Sequence, residues 1–167
     1  SIRAEHAIRS ICVMYDEHSS DKNSKENIFI LKENVHYRVF SLVHQYYIFL
    51  TQLDFHEENL QQIYQKNPHF VTAFPLGNPY FTDVDLEMSS VFDHVIFQIS
   101  SVYDYLSHLI CYICKTNKSD SLYWTKLAKA ASGQKNDFSN LEIRKTISEL
   151  NKDFVARLYD YRSRLLH

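Results

Sequence analysis

The chain has 167 residues, with 18 Lys and Arg against 20 Asp and Glu for a net charge of −2, and holds 2 Gly and 3 Pro beside 12 Tyr and 11 Phe. That length suits one domain, 1–167, with a sizeable core, and so few glycines argue against a turn-rich sandwich or barrel and against a Gly-rich phosphate loop. No run of about eighteen apolar residues and no basic-then-apolar leader occurs, so a cytoplasmic protein without membrane contact is expected.

Residues 1–18 are ambiguous. Ile8, Ile11, Cys12 and Tyr15 fit a helical face, whereas residues 11–15 also read as a short strand. A polar segment from Glu17 to Asn27 leads to the apolar run Ile28-Phe29-Ile30-Leu31, so a short N-terminal hairpin stands as an alternative to helix. From Glu33 to about Lys66 the residues Val35, Val39, Leu42, Val43, Tyr46, Phe49, Leu50 and Leu53 recur at three- and four-residue steps. That spacing predicts one long helix, ended by Asn67-Pro68. Residues 67–82 contain all three prolines with Phe70, Phe74, Tyr80 and Phe81, and read as a long connection tacked down by its rings.

Thr82-Asp83-Val84-Asp85 resembles a capped helix start. The helix it predicts runs to about Lys115. Val84, Met88, Val91, Val95, Val102, Leu106, Leu109 and Ile113 trace one stripe, and Phe92, Ile96, Ile99 and Ile110 a neighbouring one. So wide an apolar arc predicts a central helix, packed on two sides or against another subunit. A polar turn, Lys115 to Asp120, precedes a short helix from Leu122 to about Ala131 that stops at Gly133. The last helix is predicted from about Asn140 to the end, with Ile143, Ile147, Leu150, Phe154, Leu158, Tyr161 and Leu165 as its stripe. The fold class is therefore all-α, four or five long antiparallel helices in a bundle.

Metal and thiol chemistry find little support in the spacing. Cys12, Cys111 and Cys114 form no disulfide framework, and Cys111-x-x-Cys114 lies in an apolar helical run without a second pair, so it reads as buried thiols. His94 and His108 share a helix face but lie about 21 Å apart, too far for one metal. Glu33-x-x-His36 lacks the second copy that carboxylate-bridged bundles use. No metal and no cofactor is expected.

The charges are unevenly spread. Residues 1–121 hold nine Lys and Arg against fifteen Asp and Glu, a balance of −6, and residues 122–167 hold nine against five, a balance of +4. Within the basic segment, Arg164 has Asp160 four residues earlier, an ion pair on a solvent face. Arg162 has no acid within helical reach and sits beside an apolar stripe. A cation so placed needs a partner from another helix, another subunit or a ligand.

The closing residues Tyr161-Arg162-Ser163-Arg164-Leu165-Leu166-His167 resemble the Arg-x4-6-His signature of the HEPN superfamily, common in the form Arg-Asn-x-Leu-Val-His-x-Tyr. Arg162, Leu165 and His167 match directly, Leu166 stands in for Val, and Ser163 takes the place of a polar Asn, Asp or His. The resemblance implies a helical bundle that forms a homodimer and sets two copies of the motif in one cleft. It further implies a metal-independent endoribonuclease of toxin–antitoxin or phage-defence type, with RNA as substrate and an antitoxin protein as a further partner. Arg162 would hold the scissile phosphate, His167 would act as general acid or base, and Ser163 would orient. Asp93 or Asp104 would orient Arg162, and the sequence does not choose between them. Other members of the superfamily are inactive and bind nucleotides, RNA or proteins, which is the alternative for this chain.

Overall fold

A computed structural model describes residues 2–18, 22–69, 79–114, 123–133 and 142–165, all helical apart from short flanking residues, with no strand among them. The helices are α1 (Ile2–His18), α2 (Lys22–Lys66), α3 (Pro79–Ile113), α4 (Trp124–Ser132) and α5. This last helix is continuous through Ile143–Leu150, a π-helical turn at Asn151–Val155, and Ala156–Leu165.

The all-helical expectation holds. The alternative N-terminal hairpin does not form. Residues 11–15 lie within α1, and Ile28 and Leu31 lie within α2, which begins eleven residues before the predicted Glu33. The reason is heptad phase: Ile28 and Val35 are seven residues apart and both buried, so the helical seam runs back through the short apolar run. Cys12 of α1 joins Ile28, Val35 and Leu109 in one buried cluster, flanked by Ile8, Tyr15 and Tyr112. Burying each such aliphatic side chain contributes about 1.5–3 kcal/mol, which favours one helical face over a strand that would expose alternate residues.

The two long helices form an antiparallel pair. Arg38 meets Tyr105, Phe49 meets Phe92, and Gln52 meets Glu87, so numbers fall on α3 as they rise on α2. Their seam is not wholly apolar. His56 is buried, and its Nε2 lies 3.3 Å from Glu87 Oε2 without hydrogen-bond alignment, while Gln52 donates to Glu87 Oε1 at 3.0 Å. The opposite, outer face of α2 carries exposed Tyr37, Phe40, Tyr47 and Phe55.

The predicted start of α3 at Thr82 is displaced: the helix begins at Pro79, where a proline in the first turn forfeits no hydrogen bond. Tyr80 and Phe81 therefore belong to that helix rather than to a connection, and Phe70 and Phe74 lie outside the described residues. The short helix ends at Gly133, whose φ of −72° and ψ of 148° make it an extended exit rather than a left-handed cap. A second core packs α4 and α5 against α3. Cys111, Trp124, Leu127, Ala128, Ala131, Ile147 and Val155 are its buried members.

Candidate functional site

The final helix decides the geometry of the site. A regular α-helix from Ile143 would keep Phe154, Tyr161 and Leu165 inward. At the π-helical turn the amide of Ala156 donates to the carbonyl of Asn151, five residues back, so the turn takes up an extra residue. Each extra residue rotates the face that follows by about 100°. Val155 is buried in consequence, Leu158 stays buried as its place in the stripe predicts, and Phe154, Tyr161 and Leu165 are 45%, 43% and 39% exposed. Tyr159 and Arg162 now face α3.

Asp104 of α3 receives them. Arg162 Nη1 lies 3.6 Å from Asp104 Oδ2, so the missing partner of Arg162 comes from another helix. The Tyr159 hydroxyl donates to Asp104 Oδ1 and also lies 3.2 Å from the carbonyl of Ser100. The backbone amide of Trp124 donates to the same Oδ1 at 2.9 Å. Asp104 thereby caps the N-terminus of α4, whose Tyr123 N-cap offers no side-chain bond. The Trp124 indole donates in turn to Asn151 Oδ1 at 3.1 Å, at the mouth of the π-helical turn. Three helices are tied through one carboxylate.

Arg162 is also held by rings. Its guanidinium carbon lies 4.5 Å from the centroid of Phe97 and 5.9 Å from that of Tyr159. The Arg162 side chain remains 25% exposed, against 15% for Asp104. Burial and the neighbouring Asp104 carboxylate push the Tyr159 phenol far above its ordinary value, so it stays a neutral donor. Phe97 beside the guanidinium is exposed, and so is Tyr161, which stands edge-on to Phe92 at 6.0 Å.

Of the two aspartates singled out in the sequence, Asp104 is the one within ion-pair reach of Arg162; Asp93 lies eleven residues earlier on α3, about 16 Å along its axis. Ser163 is exposed on α5, away from this cluster. His167 and Leu166 lie outside the described residues. The expected Arg164–Asp160 pair forms at 2.6 Å on the exposed side. Tyr159, Trp124, Asn151 and Phe97 were not singled out. The stripe Ile147, Leu150, Phe154 and Leu158 keeps regular helical steps past Asn151, so nothing in the sequence marks the wide turn.

The remaining candidates are dispersed. Cys111 is packed in the second core, and burial raises the Cys114 thiol, with Cys111 beside it adding to the rise. His94 Nδ1 lies 2.9 Å from the carbonyl of Ser90, His108 stacks on Tyr105, and His36 is 3.8 Å from Glu33. No group of three His, Cys, Asp or Glu residues able to hold a metal occurs among the described residues. Among them, too, no helix is long and apolar enough to cross a membrane. No protein-family model, no curated protein and no solved structure matches this chain.

Proposed function

We propose that the chain is a metal-independent endoribonuclease of HEPN type, in which Arg162 grips the scissile phosphate of RNA and His167 moves the proton. The observation that supports this reading is the state of Arg162, fixed over Phe97 and beside Asp104 yet still a quarter exposed. A guanidinium oriented in advance loses little freedom when it binds a phosphate, and its fork matches two phosphate oxygens. Two copies related by a two-fold axis bring two such arginines into one cleft, and the exposed rings of Phe97 and Tyr161 supply apolar contact around it. A toxin or defence role with an antitoxin partner belongs to the same proposal.

One observation favours the alternative, an inactive module that binds RNA, a nucleotide or a protein. The Asp104 carboxylate already faces Arg162 and repels an incoming phosphate. Incubation of the protein with RNA in EDTA separates the two. Cleavage that disappears in both Arg162→Ala and His167→Ala proteins, while their melting curves stay cooperative, supports the nuclease. RNA left intact by the wild-type protein at high concentration overturns it in favour of the module.

A further inference from the structure

The last helix carries two inward faces that differ by one residue. In the observed register Val155 enters the core, and Tyr159 and Arg162 face α3. Without the wide turn, the residues just before them would take those places: Phe154, Leu158 and Tyr161, with Leu165 a turn further on. Leu158 is buried already, whereas Phe154, Tyr161 and Leu165 are exposed. Two of these three stand at the edge of α3, Phe154 with its ring 6.1 Å from that of Tyr103 and Tyr161 6.0 Å from Phe92. We propose that α5 is a two-register switch. The π-helical turn at Asn151–Val155 holds Arg162 in its site beside Asp104 and Phe97, and conversion of that turn to regular helix rotates Arg162 out of it.

The two registers oppose apolar burial to a polar node. The regular one buries Phe154, Tyr161 and Leu165, and the Ala156 amide passes from the carbonyl of Asn151 to that of Lys152. It gives up the Arg162 ion pair and the Tyr159 bond to Asp104, and it turns Val155 outward. The side chains exchanged, Phe154, Tyr161 and Leu165 for Val155, Tyr159 and Arg162, have similar total bulk, which is the kind of swap a packed seam tolerates. Upstream of the turn, Ile147 keeps its place in the core and Asn151 its bond from Trp124. The part beyond it rotates by about 100° and slides by about 1.5 Å. Packed elements move between discrete seatings of this kind rather than continuously. Arg162 as a ligand for RNA phosphate is the function proposed above, and the two registers stand without it. If it holds, bound RNA engages one register only and shifts the population towards it.

Relaxation-dispersion NMR of the amides of residues 151–165 tests the switch, because helix register shifts fall in the microsecond-to-millisecond range. These amides should share one exchange process with a minor state below about 10%. Asp104→Asn, which removes the attraction to Arg162, should raise that population about tenfold. Tyr159→Phe is milder and should act in the same direction. Deletion of Lys152 leaves a regular helix with the observed face alone, so the exchange should vanish. It should vanish also in Phe154→Lys, whose lysine is solvated in the observed register and buried in the other. His167→Ala should exchange as wild type does, and adding a short RNA to that variant should lower the minor population. A minor population that RNA leaves unchanged there counts against Arg162 as the phosphate ligand and not against the registers. No exchange in wild type, Asp104→Asn and Tyr159→Phe alike, or equal exchange in wild type, the Lys152 deletion and Phe154→Lys, overturns the switch.

Discussion

Arg162 on the last helix and Asp104 on the central one face each other at 3.6 Å, and the same carboxylate holds the Tyr159 hydroxyl and the Trp124 amide. A part-buried acid with three partners is a structural node before it is anything else. Breaking such a set by removing one member strands the others, which costs more than the set contributes when intact.

Substitution at this node should therefore be graded. Asp104→Asn keeps an acceptor for the Trp124 amide and loses the attraction to Arg162, with an expected loss of about 1–3 kcal/mol. Asp104→Ala leaves the α4 terminus uncapped and Arg162 without its counter-charge, with an expected loss of about 3–5 kcal/mol. Urea denaturation followed by circular dichroism measures both. Equal and negligible effects would show that the carboxylate carries no structural weight.

Tyr159 gives the protein an alkaline limit. Its folded pKa lies above the unfolded value of about 10, so at high pH the unfolded state releases a proton that the folded state retains. Stability is full below pH ~10 and falls as pH rises beyond it. Tyr103, raised by burial, acts in the same direction. Tyr159→Phe should flatten the fall above pH ~10, at the cost of leaving Asp104 short of a donor near neutrality. Thermal melts from pH 7 to 11 give the two slopes, and identical slopes would contradict the assignment.

The wide turn at Asn151–Val155 holds one residue more than a regular helix needs. Deleting exposed Lys152 should straighten it and still leave Val155, Tyr159 and Arg162 inward. The expected change is small, within about 1 kcal/mol, as for surface positions without special partners. A near-native cooperative melt and unchanged Trp124 emission are the readouts. Collapse of the fold on this deletion would mean that the turn itself, and not the phase it creates, is required.

His56 is buried in the α2–α3 seam with neither ring nitrogen hydrogen-bonded among the described residues. His56→Leu should raise stability by about 1–3 kcal/mol, because an apolar replacement removes the desolvation cost. A polar layer also fixes helix register, so the same variant should broaden amide resonances on residues 52–60 if the pair begins to slip. An unchanged or lower melting temperature would show that His56 is already satisfied in solution.

The periodicity of the long helices was legible because it repeats many times: α2 and α3 each carry an apolar residue every three or four positions, and local burial enforces them. The N-terminal run Ile28–Leu31 was not, since four apolar residues fit strand and helix alike until Val35 is seen to share its seam. That Arg162 lacked an acid on its own helix was readable from spacing alone. Its partner was not. Asp93 and Asp104 are eleven residues apart, nearly a whole number of helical turns, so they occupy almost the same face.

The amino-acid pattern by itself determined a helical bundle, its N-terminal stretch left open between helix and hairpin, with the basic charge gathered near one end and a solitary arginine there. Only the tertiary structure decided what that arginine meets, because a π-helical turn shifts the inward face by one residue. At that turn the Trp124 indole of another helix donates to Asn151, and Val155 enters the same buried cluster as Trp124. A helical wheel drawn with one constant angle cannot contain it.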